Sequence, residues 1–577
     1  MTMLTKWGAA LDRSCPLPEY PRPQLRRESF YNLNGVWNYA VTPSGDEPGV
    51  WDGEIVVPFS PEAPLSGAAR GPAKDEYLHY RRGFTLPEGF QKSRVLLHFG
   101  AVDQIAEVFV NGVSAAKHSG GYWPFSADIT SLLREGENIL RVTVRDNADD
   151  PTFAYGKQRY KRGGMWYTAQ SGIWQTVWLE SVPEVYVKSL RITPEFDEAR
   201  VRIELETALE SSTAITCDVR AADGSFVAGS WAKGGVCIVP LPGFRAWTPD
   251  DPYLYTLDIT CGEDRVESYF AMRKFSYVEL GGHTVFGLNN APLFHNGLLD
   301  QGYYPDGLLT APSDEAMVND IETMKRCGFN MLRKHIKIEP LRWYYHCDRL
   351  GMIVWQDMVS GGQPYSFLHV SALPTLGKVD LPDQDAKPYG RSGVLSRARF
   401  RREMADTVRL LYNCPCIALW TVFNEGWGQF DALDMANELK KLDPTRFIDH
   451  ASGWQDQGYE EMKSRHIYFR PVKLKNDGRA LALTEYGGYI LAVDGHRWTD
   501  KVFGYRICRD SAALAHDYEK LMLGQVLPHI RKEGLTAAVY TQITDVEEEL
   551  NGLMTYDREV LKIPAETLRE INKQLKF

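Results

Sequence analysis

The chain contains 577 residues, 44% of them apolar and 24% charged, with 65 basic against 75 acidic side chains and a formal net charge of −10. This length exceeds one hydrophobic core and predicts roughly three to four domains. The acidic balance excludes a general nucleic-acid binder, because such proteins neutralise phosphates with an excess of Lys and Arg. Every apolar run falls short of the roughly 18 residues of a transmembrane helix, so we expect no membrane partner.

The N-terminus indicates the cellular compartment, and the cysteines indicate whether a metal site or disulfides are expected. The first residues, MTMLTKWGAALDRS, lack the apolar core of a secretory signal, so we expect a cytoplasmic protein. The nine cysteines are mostly scattered, and the one close pair, Cys414 and Cys416, has no second Cys/His pair to complete a zinc site. We therefore expect reduced thiols that pack as small apolar side chains, with no metal site and no disulfide framework.

The first half of the chain has the pattern of two β-sandwiches. Residues 1–182 contain short strand-like runs and frequent turns, such as EVFVNGVSAAKH with its Asn-Gly hairpin signal. This pattern predicts a β jelly-roll sandwich. Residues 183–276 alternate apolar and polar side chains, as in VRIELETAL and YLYTLDITC, which predicts an immunoglobulin-like β-sandwich.

Residues 277–577 alternate strand and helix patterns. Ser313 precedes a stripe of apolar residues at helical spacing, and two more stripes lie within residues 400–411 and 432–442. Eight apolar strand-like segments accompany them: LFHNGLL, NMLRKH, MIVWQD, IALWTVFNE, RFIDHAS, HIYF, ALALTEYGG and AAVYTQITDV. Eight strands alternating with helices predict a (β/α)₈ TIM barrel. The alternative, an open doubly wound sheet, needs a phosphate-binding Gly-rich loop, and the sequence contains no such motif.

Polar side chains follow each predicted barrel strand, at the end where this fold carries its chemistry. Two of them are glutamates that follow apolar runs, Glu425 after IALWTVFN and Glu485 after ALALT. In the predicted barrel they end the fourth and seventh strands and face each other across the mouth. Two carboxylates flanking a cleft are the minimum equipment for hydrolysing a glycosidic bond, one as an acid and the other as a nucleophile or as a base for water.

Five separated segments resemble glycoside hydrolase family 2, the group of β-galactosidases, β-glucuronidases and β-mannosidases: SGIWQTVWLE, WTPDDPYLYTL, NMLRKHIKIEP, LWTVFNEGWGQFD and LTEYGG. The resemblance covers nearly the whole chain and implies a sugar-binding jelly roll, an immunoglobulin-like sandwich and a catalytic barrel. It implies a retaining mechanism with Glu425 as acid/base and Glu485 as nucleophile. It also assigns Asn424 to the sugar 2-hydroxyl and Tyr468 to the side of the nucleophile. We expect no cofactor.

The chain departs from the family at positions that contact the sugar. Gln301, after Asp300, stands where many relatives carry a His, so both residues are candidate substrate contacts whose role is open. Gly164 occupies the position of an Asp in large β-galactosidases. Leu553 falls where the Asn-x-Lys of typical β-glucuronidases carries its Lys, after Asn551. Neither standard subgroup fits.

Three cations lie at predicted strand ends. Arg333 and Lys334 are adjacent in a strand, so one should point into the barrel mouth and the other outward. The resemblance gives Arg333 a place near the nucleophile, where its charge favours an ionised carboxylate. Lys334 either pairs with a neighbouring loop or reaches the sugar, and Arg470 is either a solvated loop residue or a ligand contact. Such cations suit a carboxylate, so we expect a β-hexuronide (galacturonide or glucuronide) ahead of a neutral β-galactoside.

Trp427 and Tyr540 are candidates for stacking on a sugar ring, with packing in the core as the alternative.

The leading prediction is an exo-acting β-glycosidase acting on soluble β-glycosides. A non-catalytic carbohydrate-binding protein is a remote alternative. An aldolase-like or phosphate-handling barrel lacks the strand-interior Lys or phosphate loop that it needs. The sugar, the aglycone and the oligomeric state, a homo-oligomer included, stay open.

Overall fold

The N-terminal region is a β jelly-roll sandwich. The computed structural model describes residues 3–209, 213–376 and 380–577. Two antiparallel sheets enclose an apolar core, because alternate side chains of their strands point inward. The six-stranded sheet runs, in spatial order, Gly53–Val57, Gly35–Thr42, Tyr77–Phe84, Asn138–Arg145, Ile105–Val110 and Val113–Ser119. The four-stranded sheet runs Tyr31–Asn32, Val177–Val182, Arg94–Phe99 and Phe125–Asp128.

An immunoglobulin-like sandwich follows. Its strands alternate buried and exposed residues, as the sequence pattern predicts, and close on a core that includes Val201, Cys217 and Leu257. One sheet holds Val187–Glu195, Arg200–Thr207 and Val236–Pro240. The other holds Phe226–Lys233, Ala214–Arg220, Tyr255–Cys261 and Asp264–Phe270.

The third region is the predicted TIM barrel. Its eight parallel strands are β1 (His295–Asp300), β2 (Met331–Lys334), β3 (Ile353–Asp357), β4 (Ile417–Thr421), β5 (Phe447–Asp449), β6 (Met462–Ile467), β7 (Ala480–Gly487) and β8 (Leu535–Thr541). Each strand pairs with its neighbours in sequence and β8 pairs with β1, except that the described residues form no backbone ladder between β5 and β6. There the Ser464 hydroxyl donates to Oδ1 of Asp449 at 2.9 Å.

A small sheet closes the amino-terminal end of the barrel. Its strands are Phe275–Leu280, His283–Leu288 and Ala291–Pro292. Phe286 from this sheet stacks on Phe447 at 4.2 Å between ring centroids and meets Trp355 at 5.9 Å. This end is therefore filled with apolar side chains, and the carboxyl ends of the strands are left for chemistry.

The helices confirm the apolar stripes. Ser313 caps the first barrel helix by accepting from the Ala316 N–H, and Met317 and Ile321 on its predicted face are buried. The α-helices are Lys6–Ala9, Asp314–Arg326, Leu341–Leu350, Leu373–Thr375, Val394–Leu411, Ala432–Leu442, Ser511–Leu521, Leu527–Glu533 and Ala565–Asn572. Shorter 3₁₀ and π turns occupy Pro23–Leu25, Pro64–Ser66, Thr130–Leu132, Leu368–Ala372 and Met522–Val526. Within the described ranges, no helix has the length and apolarity to cross a bilayer.

Two strand ends differ from the prediction. β4 ends at Thr421 although the apolar run continues, because Val422 and Phe423 stay buried by packing beyond the sheet. Glu425 therefore lies in the following loop rather than at the strand end. β6 runs from Met462 to Ile467 and so shares only the first two residues of the predicted HIYF segment. Its earlier residues escape prediction because its buried positions include the polar Ser464 and His466, which interrupt the strand pattern.

Candidate active site

Glu425 and Glu485 meet at the mouth of the barrel. Glu485 lies within β7, and Glu425 sits in the loop after β4 with φ +55°. This turn is held by the Glu425 N–H, which donates to the Ser452 carbonyl at 2.9 Å, and by the Trp454 indole, which donates to the Glu425 carbonyl at 2.9 Å. One oxygen of each carboxyl and a ring nitrogen of His466 all lie within 4.8 Å of one another. The two carboxyls are thus close enough to act on one atom of a ligand.

Each oxygen of Glu485 has its own donor. Arg333 Nη1 lies 3.1 Å from Oε1, and the Tyr468 hydroxyl donates to Oε2 at 2.5 Å. Burial raises the pKa of Glu485, and the nearby Glu425 carboxyl raises it as well, whereas His466, the Arg333 charge and the Tyr468 hydrogen bond lower it. Both donors interact with the ionised form, so the negative charge of the pair is best held on Glu485.

Glu425 is the better site for the proton. Burial raises the pKa of its carboxyl, and the charges of Lys157 and Arg333 oppose that rise from a distance. Its side chain keeps 23% exposure, which opens it to the cleft, and its Oε1 lies 2.9 Å from His466 Nδ1. With carboxyls this close, the two protons leave in coupled steps, and one proton stays on the pair over a range of pH.

His466 links the two carboxyls. Its Nδ1 lies 2.9 Å from Glu425 and 3.6 Å from Oε2 of Glu485, and its Nε2 lies 3.3 Å from the Ser452 hydroxyl. Burial lowers the pKa of His466 to about 3, so the imidazole is neutral near pH 7. His466 is not among the site residues predicted from the sequence. Its signal, a His just before the end of a strand, was hidden because the strand was placed too late.

Arg333 binds Asp357 and Asn424 at the base of the site. It is fully buried, and its Nε and Nη2 each reach an oxygen of Asp357 at 3.0 Å. The same Nη2 donates to Oδ1 of Asn424 at 2.8 Å. Because the amide oxygen of Asn424 is occupied in this way, its NH₂ group is oriented as the remaining donor, beside Glu425 in sequence.

Lys334 and Asp300 pair with each other, which corrects their placement as substrate contacts. Lys334 is 1% exposed, and its Nζ lies 2.7 Å from Asp300 and 2.8 Å from Glu339. Its ammonium also lies 4.1 Å from the centre of the Trp343 ring. As the alternation along β2 predicts, Arg333 points inward and Lys334 outward, into a buried cluster that leaves no free charge for a ligand.

Gln301 is linked to Glu485 through His335. Its Nε2 donates to Gln542 at 2.9 Å, and its Oε1 lies 3.0 Å from His335 Nδ1. His335 Nε2 in turn lies 3.6 Å from Oε1 of Glu485. Burial holds the pKa of His335 well below its usual range. Gln301 therefore reaches the site through His335, rather than as the direct contact that we expected.

Trp427 and Tyr540 belong to the core, which corrects their prediction as stacking platforms. Tyr540 is fully buried and packs on Tyr518 at 5.2 Å. Trp427 is 5% exposed and meets Trp166 of the jelly roll edge-on at 5.0 Å. The sequence does not reveal this burial, because the jelly roll covers the loop after β4 that carries Trp427. Arg470, by contrast, lies exposed just after the site residue Tyr468.

A jelly-roll loop covers one side of the mouth. Its residues 154–156 bind the loop after β3, where Ala154 bridges Gly361 and the Gly156 N–H donates to the Ser360 carbonyl at 3.0 Å. Further along, it is held by the loop after β8 through three glutamates: the Thr168 N–H donates to Glu547, the Gly164 N–H to Glu548 and the Tyr167 hydroxyl to Glu549. This loop carries Lys157, which is not among the predicted site residues.

Aromatic side chains border the same space. Tyr505 stacks on Tyr468 with ring centroids 3.9 Å apart and planes 15° from parallel. Burial raises the pKa of Tyr505 well above its usual range, and the charges of Glu425, Glu549 and Glu485 raise it further. Tyr505 is not among the predicted site residues, because it comes from a long loop after β7 with no regular pattern.

The cluster of Glu425, His466 and Glu485 also has the spacing of a metal site. Its donors do not favour that use, because both oxygens of Glu485 already accept hydrogen bonds and Arg333 supplies the positive charge. A second group, His496, Asp557 and Glu559, lies outside the mouth-lining residues described above. The expectation of a metal-free site stays a prediction.

Three segments match descriptions of one family. "Glycosyl hydrolases family 2, sugar binding domain" matches residues 64–183, "Glycosyl hydrolases family 2" matches residues 185–273, and "Glycosyl hydrolases family 2, TIM barrel domain" matches residues 309–474. The order of the three matches is the order of the jelly roll, the immunoglobulin-like sandwich and the barrel in the structure.

Individual proteins are similar at low identity. A β-galactosidase of Thermoanaerobacter pseudethanolicus is 25% identical over 387 residues, which cover 64% of this chain and 47% of that protein, so the chain spans about half the length of this relative. A β-glucuronidase of Paenibacillus borealis is 22% identical over 82% of this chain and 85% of its own length. The solved structure of a β-glucuronidase from an uncultured Clostridium sp. covers 96% of this chain and 99% of its own with a TM-score of 0.74 at 19% identity, a likeness of fold.

Proposed function

We propose that this chain, which belongs to glycoside hydrolase family 2, is an exo-acting retaining β-glycosidase. The observation that carries the proposal is the approach of Glu425 and Glu485, whose nearest ligand atoms lie within 4.8 Å of each other. Retaining glycosidases hold their two carboxyls roughly 5 Å apart, whereas inverting enzymes leave about 6.5–9.5 Å for a water molecule. The jelly-roll loop supports exo action, because its contacts with the loops after β3 and β8 close one side of the mouth.

In the first step Glu485 attacks the anomeric carbon. The glycosidic bond breaks, and the leaving oxygen takes the proton of Glu425, so a glycosyl ester forms on Glu485 while Glu425 becomes ionised. In the second step Glu425 takes a proton from water, and the water oxygen attacks the anomeric carbon. The ester bond breaks and the sugar leaves with its β configuration. No redox partner or cofactor enters this balance.

The neighbouring residues position these two groups. Arg333 and Tyr468 hold Glu485 ionised for attack and stabilise the carboxylate that departs in the second step. Asn424, oriented by Arg333, donates to the sugar 2-hydroxyl, an interaction that strengthens in the transition state. Neutral His466 offers one polar nitrogen to both carboxyls and adds no charge when the proton moves.

For the sugar, we propose a β-hexuronide, glucuronide or galacturonide, ahead of a neutral β-galactoside. Relatives bear both kinds of name. Lys334 no longer supports this proposal, since two carboxylates neutralise it. Its support now comes from a different cation at the mouth, Lys157, argued below. A non-catalytic carbohydrate-binding protein remains the remote alternative.

We further propose a cytoplasmic location, with small or oligosaccharide β-glycosides as the only ligands required. All nine cysteines are free thiols, eight of them buried, which supports a reducing compartment. A homo-oligomer stays a prediction.

The test of the proposed function is a panel of nitrophenyl β-glycosides: glucuronide, galacturonide, galactoside, glucoside and mannoside. We expect wild type to release nitrophenol from at least one of them and Glu485→Gln to release none above background. If wild type binds a sugar yet hydrolyses none of the five, the chain is a carbohydrate-binding protein and the proposal is wrong.

A further inference from the structure

We propose that Lys157, on the jelly-roll loop, binds the carboxylate of the sugar in the active site and so selects β-hexuronides. This inference rests on the proposed function, because it names the substrate class of the same site. It assigns specificity to a residue outside the barrel that carries the two glutamates.

The backbone of the loop fixes where Lys157 stands. The residue before it, Gly156, has φ +64°, and a Cβ there would lie 2.8 Å from the Tyr122 hydroxyl and 3.0 Å from the Ile336 carbonyl. Only glycine fits this close approach of the loop to the barrel. The Lys157 carbonyl accepts from the Tyr167 N–H at 3.0 Å, which ties the two arms of the loop together. Backbone contacts of the loop, and not contacts of the Lys157 side chain, therefore fix the position of this residue.

The Lys157 side chain is largely buried, and its ammonium has no partner among the described residues. The residue is 9% exposed, yet within the described ranges its Nζ has no hydrogen bond or ion pair. The other strongly buried lysines are neutralised: Lys334 and Lys337 lie 2.8 Å from Glu339, and Lys562 lies 2.6 Å from Asp545. An ammonium on a largely buried side chain with no counter-charge beside it is placed to bind an anionic ligand.

The ammonium faces the reaction centre. Its nearest aromatic neighbour is Tyr167, whose ring centre lies 5.8 Å from Nζ. Its charge lowers the pKa of Glu425 and of Glu549, and it helps to keep His335 neutral. Those three groups come from the loops after β4, β8 and β2. The Tyr167 ring beside this ammonium carries the hydroxyl that donates to Glu549, so the ammonium lies next to the space that these groups enclose, where the sugar attacked by Glu485 must lie.

Glu549 defines how a uronic acid would sit beside this charge. Its Oε2 accepts from the Tyr167 hydroxyl and from Gln542 Nε2, the latter at 3.2 Å. Its Oε1 has no such donor among the described residues, so it is free to accept from a sugar hydroxyl. Lys157 offers an ammonium for the sugar carboxylate, and Glu549 offers an acceptor for a neighbouring sugar hydroxyl. Glucuronides and galacturonides share this chemistry and differ only in the configuration of the hydroxyl at C4.

The test compares Lys157→Met with Lys161→Met, an exposed lysine of the same loop as matched control. Wild type and both variants are assayed on nitrophenyl β-glucuronide, β-galacturonide, β-galactoside and β-glucoside. We expect Lys157→Met to lower kcat/KM on the uronide by roughly ten- to a hundredfold, mainly through KM, because a charge-assisted contact is lost. The effect on a neutral sugar should stay within about threefold, and Lys161→Met should change neither. Lys157→Gln, which keeps a polar side chain, guards against a folding defect, and its melting temperature is compared with that of wild type.

Several outcomes overturn the inference. An equal loss on uronides and neutral sugars in both Lys157 variants means that the ammonium binds hydroxyls or only positions Glu425. An unchanged uronide rate means that it binds nothing. Wild type active on neutral sugars alone refutes the role of Lys157 and leaves the glycosidase proposal standing. Wild type idle on every glycoside refutes the proposed function itself.

Discussion

The Tyr468 hydroxyl donates to Oε2 of Glu485 at 2.5 Å, from the residue that directly follows β6 to one inside β7. The two strands are adjacent in the barrel, so their backbone pairing fixes this contact. Tyr505 stacks on the phenol ring of Tyr468 and restrains its rotation. The same hydroxyl lies 2.9 Å from the Thr541 hydroxyl at the end of β8, so Tyr468 is held in place as it stabilises the charge of Glu485.

Removing the Tyr468 hydroxyl should lower kcat and shift the pH profile. Because the hydrogen bond lowers the pKa of Glu485, Tyr468→Phe raises this pKa and moves the acid limb of the kcat/KM profile to higher pH. We expect kcat to fall roughly ten- to a hundredfold, the range for losing one hydrogen bond to a charged group. Tyr540→Phe, in the buried core, is the control and should leave the limb in place. An unmoved acid limb in Tyr468→Phe contradicts this role.

The two glutamates should differ in chemical rescue. Glu425→Gly and Glu485→Gly should each lower kcat by about 10³-fold or more while the protein stays folded. Azide should restore turnover on an activated substrate in both. It attacks the glycosyl ester in the Glu425 variant and gives a β-glycosyl azide, whereas in the Glu485 variant it attacks the substrate itself and gives the α-azide. The same anomer from both variants speaks against the two assignments.

The pH profile should report the proton on Glu425. A bell-shaped kcat/KM requires Glu485 ionised on the acid side and Glu425 protonated on the alkaline side. Burial raises the pKa of Glu425, so its limb lies above that of an exposed glutamate. Glu425→Gln should remove the alkaline limb on an activated phenyl glycoside, whose leaving group needs little protonation. An alkaline limb that persists in this variant belongs to another group.

Lys334 should prove structural. Lys334→Met leaves Asp300 without its 2.7 Å partner in a buried cluster, and breaking a buried pair costs about 3–5 kcal/mol. We expect a lower melting temperature and losses of activity that are similar on uronide and neutral glycosides. Arg470→Ala removes an exposed cation and serves as the control for stability. Selective loss on the uronide in Lys334→Met, with the melting temperature intact, contradicts the structural role.

The regular parts of this fold could be read from periodicity. The alternation in the first two regions and the helical stripe of Met317 and Ile321 report burial directly, so the sandwiches and the barrel were predictable. The family resemblance was confirmed as well. The divisions after residues 182 and 276 stay predictions, as do the roles of Glu425 and Glu485.

The missed residues share one cause, contact between distant parts of the chain. Lys157 serves a barrel site from a jelly-roll loop, and no local pattern distinguishes it from the exposed Lys161 four residues later. Trp427 was misread for the converse reason, since its cover comes from Trp166. His466 was hidden because polar residues in β6 interrupt the apolar signal.

The most direct measurement of the central claim is the configuration of the first product. Wild-type enzyme is mixed with its fastest nitrophenyl β-glycoside in an NMR tube, and the anomeric proton is followed before mutarotation sets in. Double displacement on Glu485 predicts that the β-hemiacetal appears first and the α-anomer grows in later. The α-anomer appearing first would mean that water attacks the substrate directly, and that Glu485 is not a nucleophile.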